Sequence, residues 1–157
     1  MHATVTAPSS RPVQLHIIGD GALRPEIEQW IRTNNMTEHI LLLGWQANVA
    51  SWMRTWHLFA MSSLWEGLPC SVVEARLCKL PVVAYDVGGI KEVVFDGKNG
   101  FLVPAGNWQL LADRLTQVVA DKELQHAFKT FHDQLWDFDS TVMLKKHQML
   151  YTRISSL

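Results

Sequence analysis

Two carboxylates, Glu66 and Glu74, lie in the segment Ser62-Ser63-Leu64-Trp65-Glu66-Gly67-Leu68-Pro69-Cys70-Ser71-Val72-Val73-Glu74-Ala75. Gly67 and Leu68 lead from a loop into a helix with Pro69 near its first position, where a missing N–H costs nothing. The unpaired N–H groups of a helix start attract anions or sugar oxygens. Glu66 cannot serve an anion. It can accept hydrogen bonds from hydroxyl groups while the neighbouring amides hold something negative. Glu74 follows Cys70 and Ser71 by four and three residues, so it shares their helix face. Two carboxylates there suit the hydroxyls of a ribose and a sugar. Composition alone gives the same residues a plainer role: Glu66 caps the helix dipole and Glu74 is a solvated helical Glu.

Other candidate residues carry less. Gly19 and Gly21 form a Gly-x-Gly turn, but Arg24 stands where a dinucleotide-binding fingerprint has its third glycine. Val87-Gly88-Gly89 reads either as a backbone-geometry feature or as the wall of a site. Cys70 and Cys78 read as buried or partly buried thiols. His57 reads as a packed histidine. Trp52, Trp56 and Trp65 read as mostly core, and Trp45, beside Gln46, reads either as core or as an indole that touches a base or a partner.

The elements that must position these residues alternate. Strands are expected at Val13–Ile18, Ile40–Leu43, Leu58–Met61, Pro81–Tyr85 and Phe101–Val103. Helices are expected at Arg24–Asn34, Gln46–Arg54, Pro69 to about Cys78, Ile90–Val94, Trp108–Ala120 and Lys122–Leu135, followed by a tail from Thr141 to Ile154. Residues 1–12 read as a polar tail, and 13–157 as one domain. Arg54 is the only formal charge between Ile40 and Trp65, so that stretch reads as buried from both sides. The connections are too long for hairpins and suit right-handed crossovers. The fold class is therefore α/β, an open parallel sheet of about five strands with flanking helices. Ligands of such sheets sit beyond the carboxyl ends of the strands.

Composition agrees with a packed domain. The 157 residues are 48% hydrophobic and 18% charged, which excludes intrinsic disorder. Fourteen basic and 15 acidic residues give a net charge of −1, which is not the footprint of a nonspecific nucleic-acid binder. Two cysteines make neither a disulfide framework nor a zinc quartet. No apolar run approaches the ~20 residues of a membrane span. The expected setting is cytoplasmic.

The segment S-S-L-W-E-G-L-P-C-S-V-V-E-A resembles the E-x7-E signature of retaining glycosyltransferases of the family-4 type. Leu15–Gly21, Leu41–Gly44, Pro81–Val94 and Asp96–Val103 resemble further pieces of that family, in its order, over roughly Val13 to Ala120. The resemblance implies the carboxy-terminal, nucleotide-sugar-binding half of a two-domain GT-B enzyme, a Rossmann-like unit. It implies that Glu66 contacts donor-sugar hydroxyls as the catalytic carboxylate. It implies that Gly67 and Leu68 amides hold the sugar or its phosphate, and that Glu74 binds the ribose. Gly19 and Gly21 would border the nucleotide, and Trp45 and Gln46 the base. It further implies no metal and no cofactor beyond the donor, with positive side chains and helix amides stabilising the leaving diphosphate.

Some residues depart from the family pattern. The family usually has Asp at His57 and Gly at Lys79, where a positive φ would strain a lysine. A first strand bearing an Arg and a Lys has no match, and Arg11 is the only basic residue ahead of Val13. The acceptor-binding half has no match either, so the chain is expected to need that half or a partner chain, and to be inactive alone. Membrane association would come through such a partner. Two alternatives stand beside the transferase reading: a non-catalytic nucleotide-sugar-binding or interaction module, and a GT-B-like sugar-nucleotide epimerase or phosphorylase relative.

Overall fold

The structure is a computed structural model, and it describes residues 13–133 and 135–155. The expected tail at 1–12 lies outside them. The chain divides into two compact units, one running through Trp56 and the other starting at His57.

In the first unit, β1 (Leu15–Ile18) pairs in parallel with β2 (Ile40–Gly44), Leu15 opposite Ile40, with an irregularity between Ile17 and Ile18. Between them runs α1 (Arg24–Thr33). Pro25 lies in its first turn with Glu26, and Arg32 in its last, both in accord with the helix dipole. Asn35 leaves the helix at φ 56°, a conformation asparagine tolerates better than most residues. A short α2 (Val49–Met53) is capped by the Asn48 side chain, which accepts from the Ser51 N–H. The helix is shorter than the expected 46–54, beginning only after the Asn48 cap.

In the second unit, the parallel order is β3 (Phe59–Met61), β4 (Val82–Tyr85), β5 (Gly100–Val103). The α/β class with parallel strands and flanking helices is as expected. The five strands, however, fall into two sheets, of two and three strands. The most buried strand is also not where low charge suggested. β2 is half-buried along its length, whereas all four residues of β4 are buried. β4 has a strand on each side, and α3 (Cys70–Leu77) and α4 (Trp108–Ala120) both pack against it.

The core of this unit joins Val83, Tyr85, Phe101 and Val103 to Leu111 and Val118 of α4 and Phe128 of α5 (Lys122–Thr130). Phe101 and Phe128 meet edge to face at 5.2 Å, and the Arg114 guanidinium lies 4.5 Å over the Phe101 ring. Asn107 and Asp121 cap α4 and α5 by accepting from Leu110 and Leu124 N–H. Helical structure breaks after Thr130 and resumes as a 3₁₀ turn at Leu135–Phe138. The expected tail from Thr141 is instead α6 (Ser140–Ser155). Its start is set by Asp139, whose carboxylate accepts from Thr141 and Val142 N–H. Those amides also hold the Asp139 carboxyl below its ordinary pKa. Asp139-Ser140 was a legible helix-start signal.

Candidate functional site

The segment containing Glu66 is shaped by a second loop. Pro69 caps α3 with φ −73° and ψ 118°, so the helix begins at Cys70 rather than at the proline. The Glu66–Gly67–Leu68 backbone is seated on the turn Val87-Gly88-Gly89. The Gly89 N–H donates to the Gly67 carbonyl at 2.6 Å. Gly88 has φ +52°, and a Cβ there would fall inside contact distance of the Glu66 carbonyl oxygen and 2.7 Å from that of Gly67. Only glycine meets both demands. The turn is thus a backbone-geometry feature that supports the acidic loop.

Helix α3 presents Cys70 and Glu74 to solvent and buries Val72, Ala75 and Arg76. Glu66 is half-buried, while Gly67 and Leu68 are exposed. The helix therefore offers a carboxylate on its open face, four residues beyond its first amides. Cys70 is exposed, against the expectation of a buried or partly buried thiol, whereas Cys78 is half-buried as expected. Trp65 is 86% exposed rather than core, because it belongs to the loop and not to β3. His57 is also exposed, two residues before β3 begins.

Behind the open face lies a buried polar cluster that sequence reasoning missed. Arg76, fully buried, donates to both carboxylate oxygens of Asp133, at 3.1 and 2.9 Å. It also donates to the carbonyls of Leu80, Asn99 and Phe128. Asn99, also fully buried, donates to Val93 O and Asp133, and accepts from Phe95 N–H. The cluster ties α3 to the end of α5 and to the turn before β5. One signal was available: Arg76 falls on the same face as Val72, at i+4. Lys79 does adopt φ 60°, and its ammonium reaches Asp133 at 3.4 Å.

In the first unit, the Gly19 N–H donates to Gly44 O at 2.8 Å, and the Gly21 N–H to the Asp20 carboxylate at 2.8 Å. Arg24 binds Glu28 at 2.9 Å and Asp20 at 3.4 Å, and the Glu28 hydrogen bond, above all, raises its pKa. Gln46 donates to Leu43 O at 2.7 Å and accepts from Trp52 Nε1 at 3.1 Å. Its side chain is a brace. The adjacent Trp45 is 75% exposed and free to stack on a ligand. His16 accepts from Trp56 Nε1 at 3.0 Å and lies edge-on to Trp52 and Trp56. Among the described residues no group of three or more His, Cys, Asp or Glu could hold a metal ion, and no helix is long and apolar enough to cross a membrane.

The parallel strands and flanking helices match the fold of GT-B glycosyltransferases. The family signature described as glycosyl transferases group 1 matches residues 3–133. The chain therefore belongs to the glycosyl transferases group 1 family. It is 38% identical over 111 residues to an uncharacterized glycosyltransferase of Methanocaldococcus jannaschii, a match covering 69% of this chain and 31% of that protein. It is 29% identical over 127 residues to the poly(ribitol-phosphate) alpha-N-acetylglucosaminyltransferase of Staphylococcus aureus, covering 80% of this chain and 26% of that protein. The crystal structure of Anabaena HepE in complex with UDP and glucose superposes with a TM-score of 0.79 at 27% identity, covering 98% of this chain and 43% of that one. The chain thus spans less than half the length of these relatives.

Proposed function

We propose that the chain is the donor-binding, carboxy-terminal half of a retaining glycosyltransferase of the family-4 type. It would take a nucleoside-diphosphate sugar. Glu66 accepts hydrogen bonds from the donor-sugar hydroxyls, and the Gly67 and Leu68 amides hold the sugar or its phosphate. Glu74 accepts from the ribose hydroxyls. Gly19 and Gly21 border the nucleotide, and Trp45 and Gln46 the base, with Trp45 offering the stacking face. The acceptor hydroxyl attacks the anomeric carbon on the face from which the diphosphate leaves. The C–O bond to the diphosphate breaks as the new glycosidic bond forms, the hydroxyl proton passes to the departing phosphate oxygen, and configuration is retained. Amides and positive side chains stabilise the departing negative charge without a metal.

The observation that carries this reading is the seating of the Glu66–Leu68 backbone on the Gly88–Gly89 turn, with Glu74 on the open face of the helix that follows. The bound UDP and glucose of the Anabaena relative support the donor class. Acceptor recognition would come from an acceptor-binding half or a partner chain, so this chain alone binds donor without transferring it. The setting proposed is cytoplasmic, with any membrane association peripheral and conferred by that partner.

Calorimetric titration with UDP, GDP and ADP sugars tests the reading. One of them should bind, and Glu74→Ala should weaken it at least tenfold. Absence of binding to all three would remove the donor-site assignment. A second reading is a nucleotide-sugar-binding module without turnover. Transfer that appears on adding an acceptor-binding polypeptide would reject it.

A further inference from the structure

We propose that Gly88 and Gly89 are positioning residues that set the donor-facing orientation of the Gly67 and Leu68 amides. The inference rests on the donor-site reading above and adds to it the group that aims the amides.

In a trans peptide the carbonyl and the N–H point in opposite directions across one plane, and the structure contains no cis peptide bond among its described residues. The Glu66 carbonyl shares its peptide plane with the Gly67 N–H. That carbonyl faces Gly88 so closely that no Cβ fits between them. The Gly67 N–H therefore points away from the turn. The Gly67 carbonyl shares its plane with the Leu68 N–H and accepts from Gly89 N–H at 2.6 Å. The Leu68 N–H is turned away as well. Neither N–H has a protein acceptor among the described residues. Two adjacent amides, both unpaired and aimed out of the same side of the loop, form a concave donor pair suited to phosphate or sugar oxygens.

Gly88 thus acts twice. Its positive φ lets the turn approach, and its missing Cβ lets the Glu66 carbonyl lie against it. A side chain would displace the carbonyl and rotate the Gly67 N–H with it. Gly89 contributes its N–H, and a Cβ there would meet the Gly67 oxygen at 3.0 Å, a tight but adjustable contact.

The test uses Gly88→Ala and Gly88→Asn in the full chain, with thermal melting to establish folding. Asparagine tolerates a positive φ, so it removes most of the backbone strain while keeping the Cβ. Each variant is titrated with the nucleotide sugar that binds the wild type and with the matching nucleoside, which lacks phosphates and sugar. Both variants should lose at least tenfold in affinity for the nucleotide sugar and less than twofold for the nucleoside. Gly89→Ala, which keeps the N–H, should lose only a few-fold. Wild-type affinity in Gly88→Asn, or equal losses for both ligands, would overturn the positioning role. A wild-type chain that binds no nucleotide sugar would overturn the donor reading itself, and the inference with it.

Discussion

The guanidinium of Arg76 meets both carboxylate oxygens of Asp133 at 3.1 and 2.9 Å, with the Arg76 side chain fully buried and that of Asp133 1% exposed. Buried pairs of this kind add little over a well-packed apolar substitute, but losing one partner strands the other charge. Arg76→Ala and Asp133→Ala should each destabilise the chain by about 3–5 kcal/mol, read from urea denaturation midpoints at a constant slope. A loss under 1 kcal/mol in both would show that the pair is not held as described.

The same carboxylate makes stability depend on acid. Burial opposes its charged form and is the largest single influence. The hydrogen bonds from Arg76 and Asn99, the Arg76 charge and the Lys79 ammonium together outweigh it, so its pKa lies below the ordinary 3.8. A carboxyl that is more acidic folded than unfolded stabilises the fold above its unfolded value and loses that contribution as pH falls through its folded value. Unfolding free energy should be level through neutral pH and fall as pH drops from about 4 downward. Asp133→Asn should flatten that part of the curve.

Lys79 sets two small effects against each other. Its φ of 60° is strained for a residue with a Cβ, at about 1–2 kcal/mol. Its half-exposed ammonium, 3.4 Å from Asp133, returns no more than about 1 kcal/mol. Lys79→Gly should be neutral or slightly stabilising. Lys79→Ala, which keeps the strain and discards the pair, should be the less stable of the two by about 1 kcal/mol. Equal stability of the two variants would count against the retained geometry.

Trp45 and Gln46 are adjacent but should respond differently. Trp45→Ala removes an exposed ring and should leave the melting temperature within a degree or two of wild type, while weakening nucleotide binding several-fold. Gln46→Ala breaks bonds to Leu43 O and Trp52 Nε1, so it should cost about 1–2 kcal/mol of stability. Melting curves paired with nucleotide titration separate the two roles.

Much of the fold was legible because its signals are local. A β-branched run ending at glycine placed β1, and apolar residues at helical spacing placed α1, α2 and α4. Glu66 and Glu74 stood out as candidates because a carboxylate at a helix start and another on its open face form a sequence-local pattern. Relations between distant segments were not legible. Nothing near Glu66 announces that its carbonyl rests on Gly88, although the paired glycines drew notice. Nothing near Arg76 announces Asp133, 57 residues on. Charge depletion misled about burial, since the stretch from Ile40 to Trp65 holds an exposed Trp45 and Trp65. Few charges say that a segment avoids ionisation, not that neighbours cover it.

The Arg76–Asp133 bond also bears on how short the second unit can be made. A nascent or truncated chain ending before residue 133 carries a guanidinium built to be enclosed, with no anion to meet it. Such a fragment would retain β3, β4, β5, α4 and α5, every strand and most of the apolar core of that unit. It would still face the penalty of a desolvated cation. The minimal autonomous fragment is therefore fixed by an electrostatic partner rather than by the last core-forming helix.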